Sequence, residues 1–149
     1  MAQLRFRVKW FNELTRDELY DVLQLRAEVF VVEQECAYQD IDGKDQKALH
    51  VLAYEANQLV GYTRIFKKGD YFNQASIGRV VIVKTHRGLN YGKLLMEASI
   101  KALYDQLGKQ AIKLSAQTYL IKFYNELGFH EESEGYLEDG IPHIAMVKS

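Results

Sequence analysis

Cysteine is almost missing from the 149-residue chain: Cys36 is the only one. No internal disulfide can form, which fits a reducing compartment. Cys36 itself is read as a small buried hydrophobe rather than a nucleophile. An excess of one charge is missing too, with 19 Lys+Arg against 20 Asp+Glu and a net charge of -1. That balance excludes the basic footprint of a nucleic-acid binder. Long apolar runs are also lacking. The longest are short, as in Val29 to Val32 and Val80 to Val83, far from the roughly 20 residues that cross a bilayer. Met1 to Trp10 alternates charged and apolar residues instead of forming the apolar block of a signal peptide. The expectation is a soluble, cytoplasmic protein without nucleic-acid or membrane partners.

Metal-ligand patterns are absent as well. The 4 His are too scattered for zinc spacing. Asp40-Ile41-Asp42-Gly43-Lys44-Asp45 resembles a calcium loop, but its Gly is misplaced and Val51 stands where the closing Glu is needed. No metal is expected, and that stretch reads as a solvated acidic loop.

What is present suits one domain, 1–149. A chain this long buries roughly 70% of its unfolded surface, and 48% apolar with 26% charged residues is ordinary for a globular protein. Leu4, Phe6, Val8 and Trp10 alternate with Arg5, Arg7 and Lys9, which predicts a strand with one buried face. Thr15 and Glu18 form a capping box before a helix reaching to about Val31. Glu33 to Lys47 is a long loop, and loops of that length are often functional. Leu49 to Glu55 and Leu59 to Lys67 form a hairpin. Ala75 to Val83 is a central strand buried on both faces, with Ile77, Val81 and Val83 on one side and Val80 and Ile82 on the other. A helix follows, ended by Gly108. Then come a strand from Ala111 to Leu114, a helix from Tyr119 to Leu127, and two closing strands, one from Phe129 onward and one from Ile141 to Val147. The order predicts an α/β (α+β mixed) domain, a mixed sheet of about six to seven strands with helices on both faces.

The most informative junction is the buried strand running into Arg87-Gly88-Leu89-Asn90-Tyr91-Gly92 and then a helix. A strand, a glycine-bearing loop and a helix start aim several free amides and the positive end of the helix dipole at one point, a site for phosphate or pyrophosphate. The spacing fits neither a P-loop nor the dinucleotide fingerprint. A tight turn that simply needs glycine is the alternative.

This segment resembles the Arg/Gln-x-x-Gly-x-Gly/Ala pyrophosphate loop of the GNAT N-acetyltransferases, with Arg87, Asn90 and Gly92 in its three places. Phe123-Tyr124-Asn125-Glu126-Leu127-Gly128-Phe129 resembles the family's Tyr-x-x-x-Gly-Phe helix end, and Val60 to Arg64 its third strand. Leu25 to Gln34, Ser76 to Val80, Ser115 to Gln117 and Glu138 to Ile144 are similar to the ElaA-like branch. The resemblance runs in order over nearly the whole chain. Asn90 replaces the usual Gly, and asparagine tolerates left-handed angles better than other side chains. The strand before the loop lacks the Glu that many members use as a base.

The resemblance implies a GNAT-like fold and transfer of an acetyl group from acetyl-CoA, as co-substrate, to a small-molecule or peptide amine. It implies that Val81, Ile82 and Val83 hold the pantetheine arm. Gly88, Leu89, Asn90, Tyr91, Gly92 and Lys93 would hold the pyrophosphate, with Arg87 beside it and Gln117 on the coenzyme arm. It places Tyr124 at the general-acid position, where a phenol protonates the leaving thiolate. Glu33, Gln34, Arg79, Asp139 and His143 are the candidate acceptor-side residues. For the base, Glu33, His50 and His143 all stand as candidates. His86 and His130 read as structural. A splayed central strand leaves amides near Val81 to stabilise the oxyanion. A non-catalytic acyl-CoA-binding module is the second reading, and a homodimer is left open.

Overall fold

A computed structural model describes residues 3–149. An eight-stranded mixed sheet runs β1 (Leu4–Trp10), β2 (Leu49–Glu55), β3 (Gln58–Phe66), β4 (Ala75–Ile82), β5 (Ile112–Gln117), β8 (Ile141–Lys148) and β6 (His130–Glu131), with β7 (Tyr136–Glu138) also paired to β8. The expected strand after Phe129 is thus two short pieces, β6 and β7, on one long β8. This raises the count above six to seven. Asp139 (φ 50) and Gly140 (φ 77) form the two-residue link between β7 and β8, as a hairpin of matching twist requires.

Helix α1 (Arg16–Arg26) begins at the predicted capping box: the Glu18 amide donates to Thr15 Oγ1 at 3.0 Å, and the Thr15 amide to Glu18 Oε1 at 2.8 Å. The helical path continues to Glu33, but Ala27–Glu33 is wound as a π-helix. On the opposite face lie α2 (Tyr91–Leu107), which buries Leu95, Met96, Ser99, Ala102 and Leu103, and α3 (Ile121–Glu126). A left-handed Gly128 (φ 94) ends the α3 segment, so that the Phe129 amide reaches back to the Tyr124 carbonyl at 3.0 Å.

Two cores flank the sheet. Val22, Leu25 and Val29 pack on Leu52, Tyr62 and Val81 below α1, while α2 and α3 cover Val51, Ile65, Ile77 and Leu114. Ile77 and Val81 therefore lie on opposite faces, not on one face as strict alternation predicts. Arg79 has φ 50, and the β3–β4 register shifts between Tyr62 and Arg64. One extra residue in β4 is a β-bulge, and it inverts the facing of everything beyond it. The apolar face of β1 departs from expectation too. Phe6 and Val8 are 36% and 38% exposed, because β1 is a sheet edge where α2 gives little cover.

The segment read as a solvated acidic loop is an ion-pair network. Arg26, fully buried, bonds Asp40 at 3.0 Å and Asp45 at 2.7 Å; Arg64 bonds Asp42 at 2.8 Å and Asp45 at 3.0 Å; Arg79 bonds Asp40 at 2.8 Å. Burial opposes charge on Asp42, yet Arg64 outweighs it and holds the carboxyl down at about 2. Three cations against three anions fasten the loop to β3 and β4. Cys36 is only half-buried, its Sγ 3.5 Å from the Asp139 carbonyl.

Candidate active site

The central strands part where β4 leaves β5. Their parallel ladder holds only Ala75–Ile112 and Ser76–Lys113, and beyond it a cavity of about 490 Å³ opens between the strand ends. Strand amides alternate in direction. The Val83 amide donates to the Val60 carbonyl at 2.8 Å on the β3 side, so the Ile82 amide faces the parted side. Of the Val81–Val83 trio, the Val83 amide is already paired, and the Ile82 carbonyl accepts from Arg87 Nε at 2.9 Å. Val81 and Ile82 line the cavity, whereas Val83 does not.

At one end of this cavity stands the start of α2. Asn90 adopts the left-handed conformation (φ 66, ψ 13) and Gly88 has φ 79. The first helical bond joins the Leu94 amide to the Asn90 carbonyl, so the amides ahead of it point out of the helix end. Arg87, Gly88, Asn90, Tyr91, Gly92 and Lys93 all line the cavity; Leu89 instead points outward, 54% exposed. A Cβ on Gly92 would lie 3.5 Å from the Phe123 ring, which seats α3 beside this end. Free amides, a helix dipole, Arg87 and Lys93 suit a pyrophosphate, and the apolar walls from Val81, Phe30 and Phe123 suit a thioester arm.

A second cavity, of about 120 Å³, adjoins the first. Gln34, Val80, Gln117 and Tyr124 line both. Of the five residues named as acceptor-side candidates, Gln34, Arg79, Asp139 and His143 line the smaller one, with the Arg79 Nε spent on Asp40. Glu33 does not reach it. It lines the larger cavity and forks onto Arg87, Oε2 to Nη1 at 2.5 Å and Oε1 to Nη2 at 3.0 Å. The Arg87 hydrogen bond holds the Glu33 carboxyl below its ordinary range, which makes it a poor base.

Tyr124 is buried where the cavities meet. Burial, with Tyr119 nearby, pushes its phenol well above the ordinary tyrosine value. Phe123 and Phe129 meet its ring edge-on at 5.0 and 5.9 Å. His50, by contrast, is fully buried away from both cavities. Its Nε2 donates to the Asp45 carbonyl at 2.9 Å, so Nδ1 accepts from the Tyr62 hydroxyl at 2.5 Å. Burial lowers its pKa, and its place is in the core. His143 does face the smaller cavity. Its Nδ1 donates to the Ile141 carbonyl at 2.7 Å, which leaves Nε2 facing the Glu138 carboxyl at 3.4 Å. Sequence reasoning missed Phe30, Val80 and Glu138 as wall residues, although all three sat in the stretches that carried the resemblance.

The family model described as "Acetyltransferase (GNAT) domain" matches residues 13–149. Protein ElaA of Escherichia coli is 42% identical over 139 residues, 92% of this chain and 91% of that protein. Its crystal structure superposes with a TM-score of 0.93 at 38% identity, covering 99% of this chain and 100% of the other. A crystal structure of an acyl-CoA N-acyltransferase from Pseudomonas aeruginosa has a TM-score of 0.91 at 41% identity, covering 97% and 99%.

Proposed function

The chain belongs to the GNAT acetyltransferase family, and from that premise we propose that it transfers an acetyl group from acetyl-CoA to an amine by direct attack in a ternary complex. The observation that carries this reading is the meeting of two cavities at Gln117 and Tyr124. One is shaped for a coenzyme and the other for an acceptor, so thioester and amine share one point.

In this reading Arg87 and the amides from Gly88 to Lys93 hold the pyrophosphate, Val81 and Ile82 flank the pantetheine arm, and Gln117 bonds it. The acceptor nitrogen forms a bond to the thioester carbonyl carbon. The Ile82 amide, on the parted side of β4, donates to the developing oxyanion. The carbon–sulfur bond then breaks, and the Tyr124 hydroxyl gives its proton to the thiolate. His143 is the remaining base candidate, because its Nε2 lone pair borders the acceptor cavity and can take the amine's surplus proton.

The test is a screen of amines, polyamines and amino-terminal peptides with acetyl-CoA, read as free thiol released above background hydrolysis. Amine-dependent release is the expected result. Coenzyme binding with no turnover across the screen would return the protein to a non-catalytic acyl-CoA-binding module.

A further inference from the structure

We propose that the acceptor is an elongated amine ending in a carboxylate or carbonyl oxygen, and that Gly78 keeps open the passage to its binding place. This rests on the acyl-transfer reading and names the acceptor class for it. A third cavity, of about 60 Å³, adjoins the acceptor cavity, and Ile77, Gly78, Arg79, Ser115 and Glu138 wall both. The rest of its wall is Arg64, Ser76 and the rings of Phe66, Tyr71 and Phe72.

Two of these wall residues each carry a polar atom, Arg64 Nε and Ser76 Oγ, that is buried with no hydrogen-bond partner among the described residues. Arg64 and Ser76 are 1% and 2% exposed. The other Arg64 donors are committed, Nη1 to Asp42 and Asp45 and Nη2 to Asp42. Buried polar atoms are normally satisfied, so an unpaired pair beside a cavity needs a reason. Both atoms can donate, and the group that satisfies two donors is an oxygen with lone pairs. Asp42 and Asp45 already balance the Arg64 charge, and the space is small. A compact carboxylate or amide oxygen fits these conditions better than a phosphate.

Gly78 lies where the two cavities join. A Cβ built there meets no atom within 4 Å, and Gly78 is not among the positive-φ glycines. A side chain at 78 would therefore enter open space without backbone strain. Val80, on the wall shared with the coenzyme cavity, lies four residues beyond Ser76. At ~3.3 Å per residue the reacting end and the far end are at most about 13 Å apart.

The probes are 8-aminooctanoate, octylamine and 1,8-diaminooctane, titrated calorimetrically into protein saturated with coenzyme A, with thiol release from acetyl-CoA measured in parallel. The amino carboxylate should bind about tenfold or more tightly than octylamine, and the diamine no more tightly than octylamine. Gly78→Val should erase that preference and Ser76→Ala reduce it. Ser76→Ala removes an unpartnered hydroxyl, so its melting temperature should not fall. Equal affinities for the three probes, no binding by any, or a preference that survives Gly78→Val would overturn the proposal. Selective binding of the diamine would overturn it too, by giving the far end to the Glu138 carboxylate. Carboxylate-selective binding without thiol release from any amine would leave this site standing and sink the acyl-transfer reading instead.

Discussion

The forked ion pair between Glu33 and Arg87, at 2.5 and 3.0 Å, joins the end of the π-helix to the loop before α2, and both residues line the larger cavity. The Arg87 guanidinium is thereby occupied on two edges, by Glu33 and by the Ile82 carbonyl. If Arg87 holds the coenzyme as proposed, an arriving pyrophosphate competes with Glu33 for the same donors. Glu33→Gln should tighten coenzyme A binding several-fold by calorimetry. Weaker binding would mean that Glu33 holds Arg87 in its productive pose.

Tyr124 stays protonated across the neutral range, because burial raises its pKa. Tyr124→Phe should lower kcat by about 10²- to 10⁴-fold on the weakest amine accepted, with coenzyme affinity nearly unchanged. The wild-type pH–rate profile should show no loss from tyrosine ionisation below about pH 10. Loss of affinity at unaltered kcat would make Tyr124 a binding residue.

Asn90 carries the left-handed turn that starts α2 (φ 66). Asn90→Gly should keep or tighten coenzyme binding. Asn90→Ala has no side-chain amide to ease that conformation and should cost about 1 kcal/mol in chemical denaturation.

Arg26 is fully buried between Asp40 and Asp45. Arg26→Ala leaves those carboxylates buried against the remaining charges of Arg64 and Arg79, and such a loss costs about 3–5 kcal/mol. Urea titration measures it. A cost near zero would mean that the loop from Glu33 to Lys47 detaches without penalty.

Glu18 opposes burial with hydrogen bonds from Lys9, the Thr15 amide and Arg7, which bring its carboxyl down to about 2. A carboxylate depressed in the folded state contributes stability that is full above its unfolded pKa, about 4.3. That contribution is lost as pH falls toward about 2. Arg7 is largely exposed, so solvent screening trims the effect to about 1–2 kcal/mol. Glu18→Gln should therefore destabilise the protein at pH 7 and have little effect near pH 2, as read by thermal melts across that window.

Local rules made much of this molecule legible. The Thr15–Glu18 box, Gly108 and Gly128 as helix ends, the Asp139-Gly140 turn and the β2–β3 hairpin each depend on residues a few positions apart. The α2 start was readable for the same reason, since its amides and glycines are neighbours in the chain. That Glu33 lines the larger cavity rather than the smaller one was not legible, because its partner, Arg87, is distant in sequence and no spacing rule links them. His50 looked like a candidate base until Tyr62 and the Asp45 carbonyl enclosed it.

The sequence by itself determined the order of elements, the mixed sheet with helices on both faces, the glycine-bearing start of α2 and the family. These follow from periodicity, capping and backbone freedom, which act over a turn or a strand. Only the tertiary structure decided the bulge at Arg79 that sends Ile77 and Val81 to opposite cores. It alone assembled the Arg26–Arg64–Arg79 network that buries an apparently solvated loop, and it brought two cavities together at Tyr124. Each depends on packing between segments far apart in the chain, where side-chain shape and charge select partners that linear spacing does not encode.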